Sequence, residues 1–117
     1  MSLQKKVESL YELILSGQIL PAFETYYHEE VVMQENLEAP RVGKAVNREY
    51  EETFVNSLEA VHGGGVDAIL SDEAQQVAMI ESWMDVTFKG GQRLKMAQVA
   101  VQKWQGDQIV HERFYHG

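Results

Sequence analysis

Residues 77–115 carry the pattern that decides the fold: VAMIESWMDVTF (77–88), KGGQ (89–92), RLKMAQVAVQKW (93–104), QGDQ (105–108) and IVHERFY (109–115). Three segments rich in Val, Ile, Met, Trp, Phe and Tyr are separated by short glycine-containing turns, which predicts an antiparallel meander. A lone meander is not stable in water and needs a cover.

The preceding residues supply one. Leu3, Val7, Leu10, Leu13 and Ile14 recur at helical spacing and predict an amphipathic helix from Leu3 to Leu15, stopped at Gly17. Pro21 suits the first turn of a second, shorter helix that carries Ala22, Phe23 and Tyr26 and ends near Tyr27-His28. Val31, Val32 and Met33 predict a short strand, with Glu35, Asn36, Pro40 and Gly43 in a polar loop or strand end after it. From Lys44 a third helix is expected on a stripe of Val46, Tyr50, Phe54, Leu58 and Val61, with Arg48, Glu49, Glu51, Glu52 and Glu59 on its solvated face. His62-Gly63-Gly64-Gly65 is read as the end of that helix, and VDAIL (66–70) as the next strand. These glycines lack a following Gly-Lys-Ser/Thr and do not open a helix, so they are no phosphate cradle. The order is helix, helix, strand, helix, four strands. It describes one α+β domain over residues 1–117, with three helices against a curved, mixed or antiparallel sheet.

Bulk properties narrow the function. A net charge of −8, with no basic cluster beyond Lys5-Lys6, argues against nucleic acid or an anionic membrane as partner. There is no cysteine, which removes disulfides, iron–sulfur clusters and thiol catalysis. No signal peptide or membrane span is read, so a cytoplasmic protein is expected. No HxH, HExxH or GxSxG pattern occurs, so neither a metal, another cofactor nor a serine nucleophile is expected.

A two-residue Gly90-Gly91 hairpin would pair residues summing to 181. That register sets Met79, Glu81, Trp83 and Asp85 on one face with Met96, Gln98, Ala100 and Gln102. Ala78, Ile80, Ser82, Met84, Val86 and Phe88 then share the other face with Ala97, Val99 and Val101. The mixed face is either wet or the wall of a semi-polar cavity, and the apolar face would then meet a second subunit. The last strand stays open. A two-residue Gly106-Asp107 turn aims His111, Arg113 and Tyr115 at the mixed face, whereas a one-residue bulge aims Glu112, Phe114 and His116 there.

Glu35, just after a short apolar strand, is the first choice for a general base, since an enclosed carboxylate can move protons near neutrality. His28 could serve as base or orienter, and Glu112 lies beside His111 and near His116. Tyr50 could offer a hydroxyl, and Met79, Glu81, Trp83, Met96, Gln98 and Gln102 could touch a ligand with His111 and His116. The expected reaction type is proton transfer without a covalent intermediate.

The segments YELILSGQILPAFETYYHEEVVMQEN (11–36), PRVGKAVNREYEETF (40–54) and VAVQKWQGDQIVHERFY (99–115) resemble the SnoaL-like family. It lies within the nuclear transport factor two-like superfamily, which also holds ketosteroid isomerases. The resemblance implies a cone-like α+β barrel whose curved sheet wraps a pocket beneath the helices, commonly dimeric through the sheet. It puts Glu35 at the position of the isomerase base. Leu10 falls where the oxyanion-hole tyrosine would be, with Tyr11 one residue away, and Ala100 replaces the protonated aspartate. A base without such donors forgoes about 3 to 4 kcal/mol for one strong donor, so steroid isomerisation is not implied. What remains is a cofactor-independent isomerase, cyclase or dehydratase using Glu35, with His28, Glu112 or His116. The alternative is a non-catalytic, dimeric binder of a small apolar or semi-polar molecule.

Overall fold

A computed structural model describes residues 1–117. Helix α1 (Leu3–Leu15) starts where the Ser2 hydroxyl accepts from the Lys5 amide, satisfying an otherwise free N–H of the first turn. Its buried residues Leu3, Val7, Leu10 and Tyr11 lie one above another on a single face. Helix α2 (Ile19–Tyr26) follows, and its Phe23 stacks on Tyr27 with centroids 4.9 Å apart. Strand β1 (Tyr27–Glu35) and the two-residue β2 (Arg41–Val42) lead into helix α3 (Lys44–Asn56). Strands β3 (Leu58–Asp72), β4 (Val77–Phe88), β5 (Arg93–Gln105) and β6 (Gln108–Tyr115) complete one open, curved sheet in the order β2-β1-β6-β5-β4-β3. All neighbours are antiparallel except β1 and β6. The core lies between the helices and the inner face of the sheet, with Leu3, Leu10, Val31, Met33, Ile80 and Ile109 inaccessible or nearly so.

Three expectations are corrected. The third helix stops at Asn56, so Leu58, Val61 and His62 to Gly65 belong to the long strand β3. The glycines there make room for an aromatic ring. A Cβ on Gly65 would lie 2.7 Å from the indole Nε1 of Trp83, and one on Gly63 would also meet that ring.

The second correction is the hairpin register. Phe88 N–H donates to Gln92 O, and the loop is the three residues Lys89-Gly90-Gly91, so every β4–β5 pair sums to 180, as in Ile80↔Ala100. One residue of slip reverses which residues share a face. Ala78, Ile80, Ser82 and Met84 therefore join Met96, Gln98, Ala100 and Gln102 toward the helices. Met79, Glu81 and Trp83 point outward with Ala97, Val99 and Val101. The apolar face of β4 is thus the inner one, covered by the chain's own helices.

Third, the buried face of α3 is not the apolar stripe. Lys44 and Asn47 are buried while Val46 and Tyr50 are exposed. Asn47 explains part of the exchange. Its Nδ2 donates toward the backbone carbonyls of Val31, Arg41 and Gly43, and its Oδ1 accepts from Arg41 Nε at 3.1 Å. One side chain ties β1, β2 and α3 together. No helix is long and apolar enough to cross a membrane.

Candidate functional site

Between the helices and the inner sheet face lies a cavity of about 710 Å³. Its lining is mostly hydrophobic, drawn from all three helices and from β1, β4, β5 and β6. An apolar cavity of this size with a few polar groups is the general form of a small-molecule site.

Its floor is a buried polar chain. A shift in pairing between Lys103 and Trp104 turns Glu112 and Phe114 inward beside Gln102 and Ala100, which selects the bulged alternative for the last strand. Glu112 is 1% exposed. Tyr27 Oη donates to its Oε1 at 2.5 Å, Gln102 Nε2 donates to its Oε2 at 2.6 Å, and Trp104 Nε1 donates to Gln102 Oε1 at 3.0 Å. Burial pushes the Glu112 carboxyl up to about 7, against the opposing pull of those two hydrogen bonds. The same burial, with Glu112 as a charged neighbour, raises the phenols of Tyr11 and Tyr27. Tyr11 lines the cavity although it follows the position of the oxyanion tyrosine by one residue.

The rim is charged. Glu35, paired with Phe114 across the parallel β1–β6 ladder, lines the cavity with that residue. Arg41 Nη2 donates to Glu35 Oε2 at 3.2 Å, and His116 Nε2 lies 3.2 Å from Glu35 Oε1. Both partners are held. The Arg41 guanidinium is anchored by Asn47 and lies 3.6 Å from the centre of the Tyr50 ring. The His116 backbone N–H donates to Asn36 Oδ1, and the Asn36 N–H donates to Phe114 O, in a loop where Asn36 takes a left-handed φ of 48°.

Glu51 completes the set from α3. Mostly buried against the cavity, it makes neither a hydrogen bond nor an ion pair. Burial raises it to about 7, Arg41 opposes the rise and Glu35 adds to it. The sequence reading put Glu51 on a solvated face. Its spacing from Lys44, Asn47 and Phe54 is the helical signal that could have found it.

The structure thus brings together Glu35, Glu112, His116, Tyr50, Met96 and Gln98 around one cavity, with Gln102 beneath Glu112. Others lie elsewhere. Met79 and Glu81 are exposed on the outer face. Trp83 and Lys95 contribute to the cavity lining, while the Trp83 ring covers Gly63 and Gly65 with Lys95 Nζ 4.4 Å from its centre. His111 pairs with Lys103, away from Glu112, and partial burial chiefly lowers its pKa, helped by Lys103 and Arg113. His28 is outside the cavity, where its Nδ1 accepts from the Glu30 amide. No group of three or more His, Asp or Glu side chains is spaced to hold a metal ion.

The model of the SnoaL-like domain matches residues 1–116. The chain belongs to the SnoaL-like family. Among solved structures, a candidate SnoaL-like polyketide cyclase from Mesorhizobium loti, also labelled carbohydrate phosphatase, is 26% identical with a TM-score of 0.84, covering 99% of this chain and 100% of that one. A candidate isomerase from Bacillus subtilis is 14% identical with a TM-score of 0.84, covering 100% and 90%. A ketosteroid isomerase-like protein from Catenulispora acidiphila, in complex with trimethylamine, is 12% identical with a TM-score of 0.76, covering 95% and 85%. The SnoaL-like chain therefore shares the nuclear transport factor two-like fold at full length. No curated protein matches its sequence.

Proposed function

We propose that this SnoaL-like protein is a cofactor-independent acid–base enzyme of the isomerase, cyclase or dehydratase class, acting on a small, largely apolar molecule with an acidic C–H bond. The observation that carries the reading is that a rim carboxylate, Glu35, and a deeply buried carboxyl, Glu112, face one apolar cavity in unlike environments. Glu35 is held at the rim between Arg41 and His116, which fixes the position of its carboxylate. Below neutrality Glu112 keeps its proton and can donate it in a hydrogen bond to Tyr27 Oη, which frees the phenol O–H to turn into the cavity as a donor for an oxygen on which charge develops. A base at the rim and an acid on the floor divide the work of moving one proton across a substrate.

The native substrate is not needed for a first test. The ring of 5-nitrobenzisoxazole opens on loss of one C–H proton to a base, and the phenolate product is coloured. The protein should accelerate this reaction well beyond free acetate at equal carboxylate concentration, and Glu35→Gln should lower the rate about a hundredfold or more. An undiminished rate in Glu35→Gln removes Glu35 as the base.

A second reading has its own support. Arg41 and His116 already occupy both oxygens of Glu35, an arrangement that suits a binding protein without turnover as well as a catalyst. Wild-type protein that binds the benzisoxazole without opening it would favour that reading. Assembly is a further proposal. The outer sheet face carries Met79, 48% exposed, with Ala97, Val99 and Val101, and a homodimer would cover it. Sedimentation showing only monomer at tens of micromolar would refute this.

A further inference from the structure

The cavity holds more carboxyl groups than free cations. Glu35, Glu51 and Glu112 face it from β1, α3 and β6. Arg41 is committed to Glu35, Asn47 and the Tyr50 ring, and the donors on Glu112 are a phenol and an amide. Glu51 makes no hydrogen bond or ion pair, yet it is partly buried in the cavity lining. Burial of a carboxylate without a direct partner is costly, and the charge of Arg41 offsets that cost only in part.

Aromatic rings fill much of the wall around it, among them Tyr11, Phe23, Tyr27, Phe54, Phe88 and Phe114. Ring faces attract cations and carboxylates pair with them, so the two together form the usual lining for an organic ammonium. An anionic ligand would meet three carboxyl groups and a single lysine, Lys95, whose Nζ lies over the Trp83 ring 4.4 Å from its centre. A wholly neutral ligand would leave Glu51 unpaired.

We propose that the cavity accepts an apolar molecule bearing one ammonium group, seated between the Glu51 carboxylate and the aromatic wall. The proposal deepens the acid–base reading by naming the substrate class, and it rests on that reading only in placing a small molecule in this cavity. It does not require turnover. The charged and titratable side chains around the cavity are Tyr11 from α1, Tyr27 and Glu35 from β1, Arg41 from β2, Tyr50 from the helix of Glu51, Lys95 from β5, and Glu112 and His116 from β6 and the residue after it. Since burial holds Glu51 and Glu112 near 7, both carboxyls ionise between pH 6 and 8.5, and the attraction for a cation grows over that span.

Three probes with one body and three heads separate the possibilities: 1-adamantanamine, protonated throughout this range, 1-adamantanol and 1-adamantanecarboxylate. Isothermal titration on the full chain at pH 8.5 should find the amine bound at least about tenfold tighter than the alcohol, with the carboxylate weakest. The amine's advantage should shrink at pH 6. Glu51→Gln should erase it. The wild-type comparison of head groups stands even if that variant folds poorly. Equal binding of amine and alcohol, or a preference untouched by Glu51→Gln, overturns the ammonium proposal and leaves the cavity as a small-molecule site. Failure of all three probes to bind overturns both.

Discussion

Replacing Glu112 with glutamine should make the protein more stable than the wild type by an amount that grows as pH rises from 4.5 to about 7 and is constant above that. In the native state the carboxyl ionises near 7, against an ordinary value of 4.5. Between those values the folded chain holds a proton that the unfolded chain releases, so stability falls as pH rises through this window and levels off above it. Each pH unit is worth about 1.4 kcal/mol, so complete ionisation removes about 3 kcal/mol, a large share of a small domain's stability. Glutamine matches the shape and carries no charge. Its oxygen can accept from Gln102 Nε2, and its amide can donate to the Tyr27 hydroxyl, which then accepts instead of donating. Urea unfolding at pH 5 and pH 8 tests this. The wild type should lose stability over the interval, and Glu112→Gln should lose about 3 kcal/mol less. General repulsion from the net charge of −8 acts on both proteins and largely cancels in the difference. Parallel pH profiles would refute the burial of an ionisable Glu112, as would a variant destabilised equally at both pH values.

Asn47→Ala should cost about 1 to 3 kcal/mol, because it takes the side-chain donor from the Arg41 carbonyl, leaves the Val31 and Gly43 carbonyls with their backbone donors alone, and frees the Arg41 side chain. A melting temperature within a degree of wild type would contradict that. Gly65→Ala places a methyl carbon 2.7 Å from Trp83 Nε1 and should cost about 1 to 3 kcal/mol with a shift in tryptophan emission, and an unchanged melt and spectrum would count against the packing of that ring.

The element order was legible because propensity, glycine placement and periodicity agreed along most of the chain. The first helix is bounded as the apolar spacing from Leu3 to Leu15 requires. Glu35 also closes the first strand as its position after Val31-Val32-Met33 suggested. The β4–β5 register was not legible. Gly90 and Gly91 both take positive φ, at 109° and 96°, and a KGGQ turn satisfies that in a two- or a three-residue loop. The choice is made elsewhere, by the helices that cover Ala78, Ile80 and Ala100. Counting which alternate set of β4 is uniformly small or apolar would have indicated the inner face, since it meets the core and not a second subunit.

The misreading of α3 has a different cause, and it bears directly on the site. A helix packed against a filled core must present apolar side chains to it, and there the hydrophobic stripe identifies the buried face. A helix that roofs a cavity is under a weaker demand. Lys44 reaches the Glu24 carbonyl at 2.9 Å, Asn47 satisfies three backbone oxygens, and Glu51 looks into open volume, so a polar face is buried without leaving a fully buried nitrogen or oxygen unpaired. Val46 and Tyr50 of the apparent stripe are exposed, with Tyr50 at the edge of the cavity serving as a platform for Arg41. Position 51 therefore departs from the pattern because the space beneath it is empty of protein. That links the one carboxylate the periodicity misassigned to the one side of the cavity still able to receive a cation.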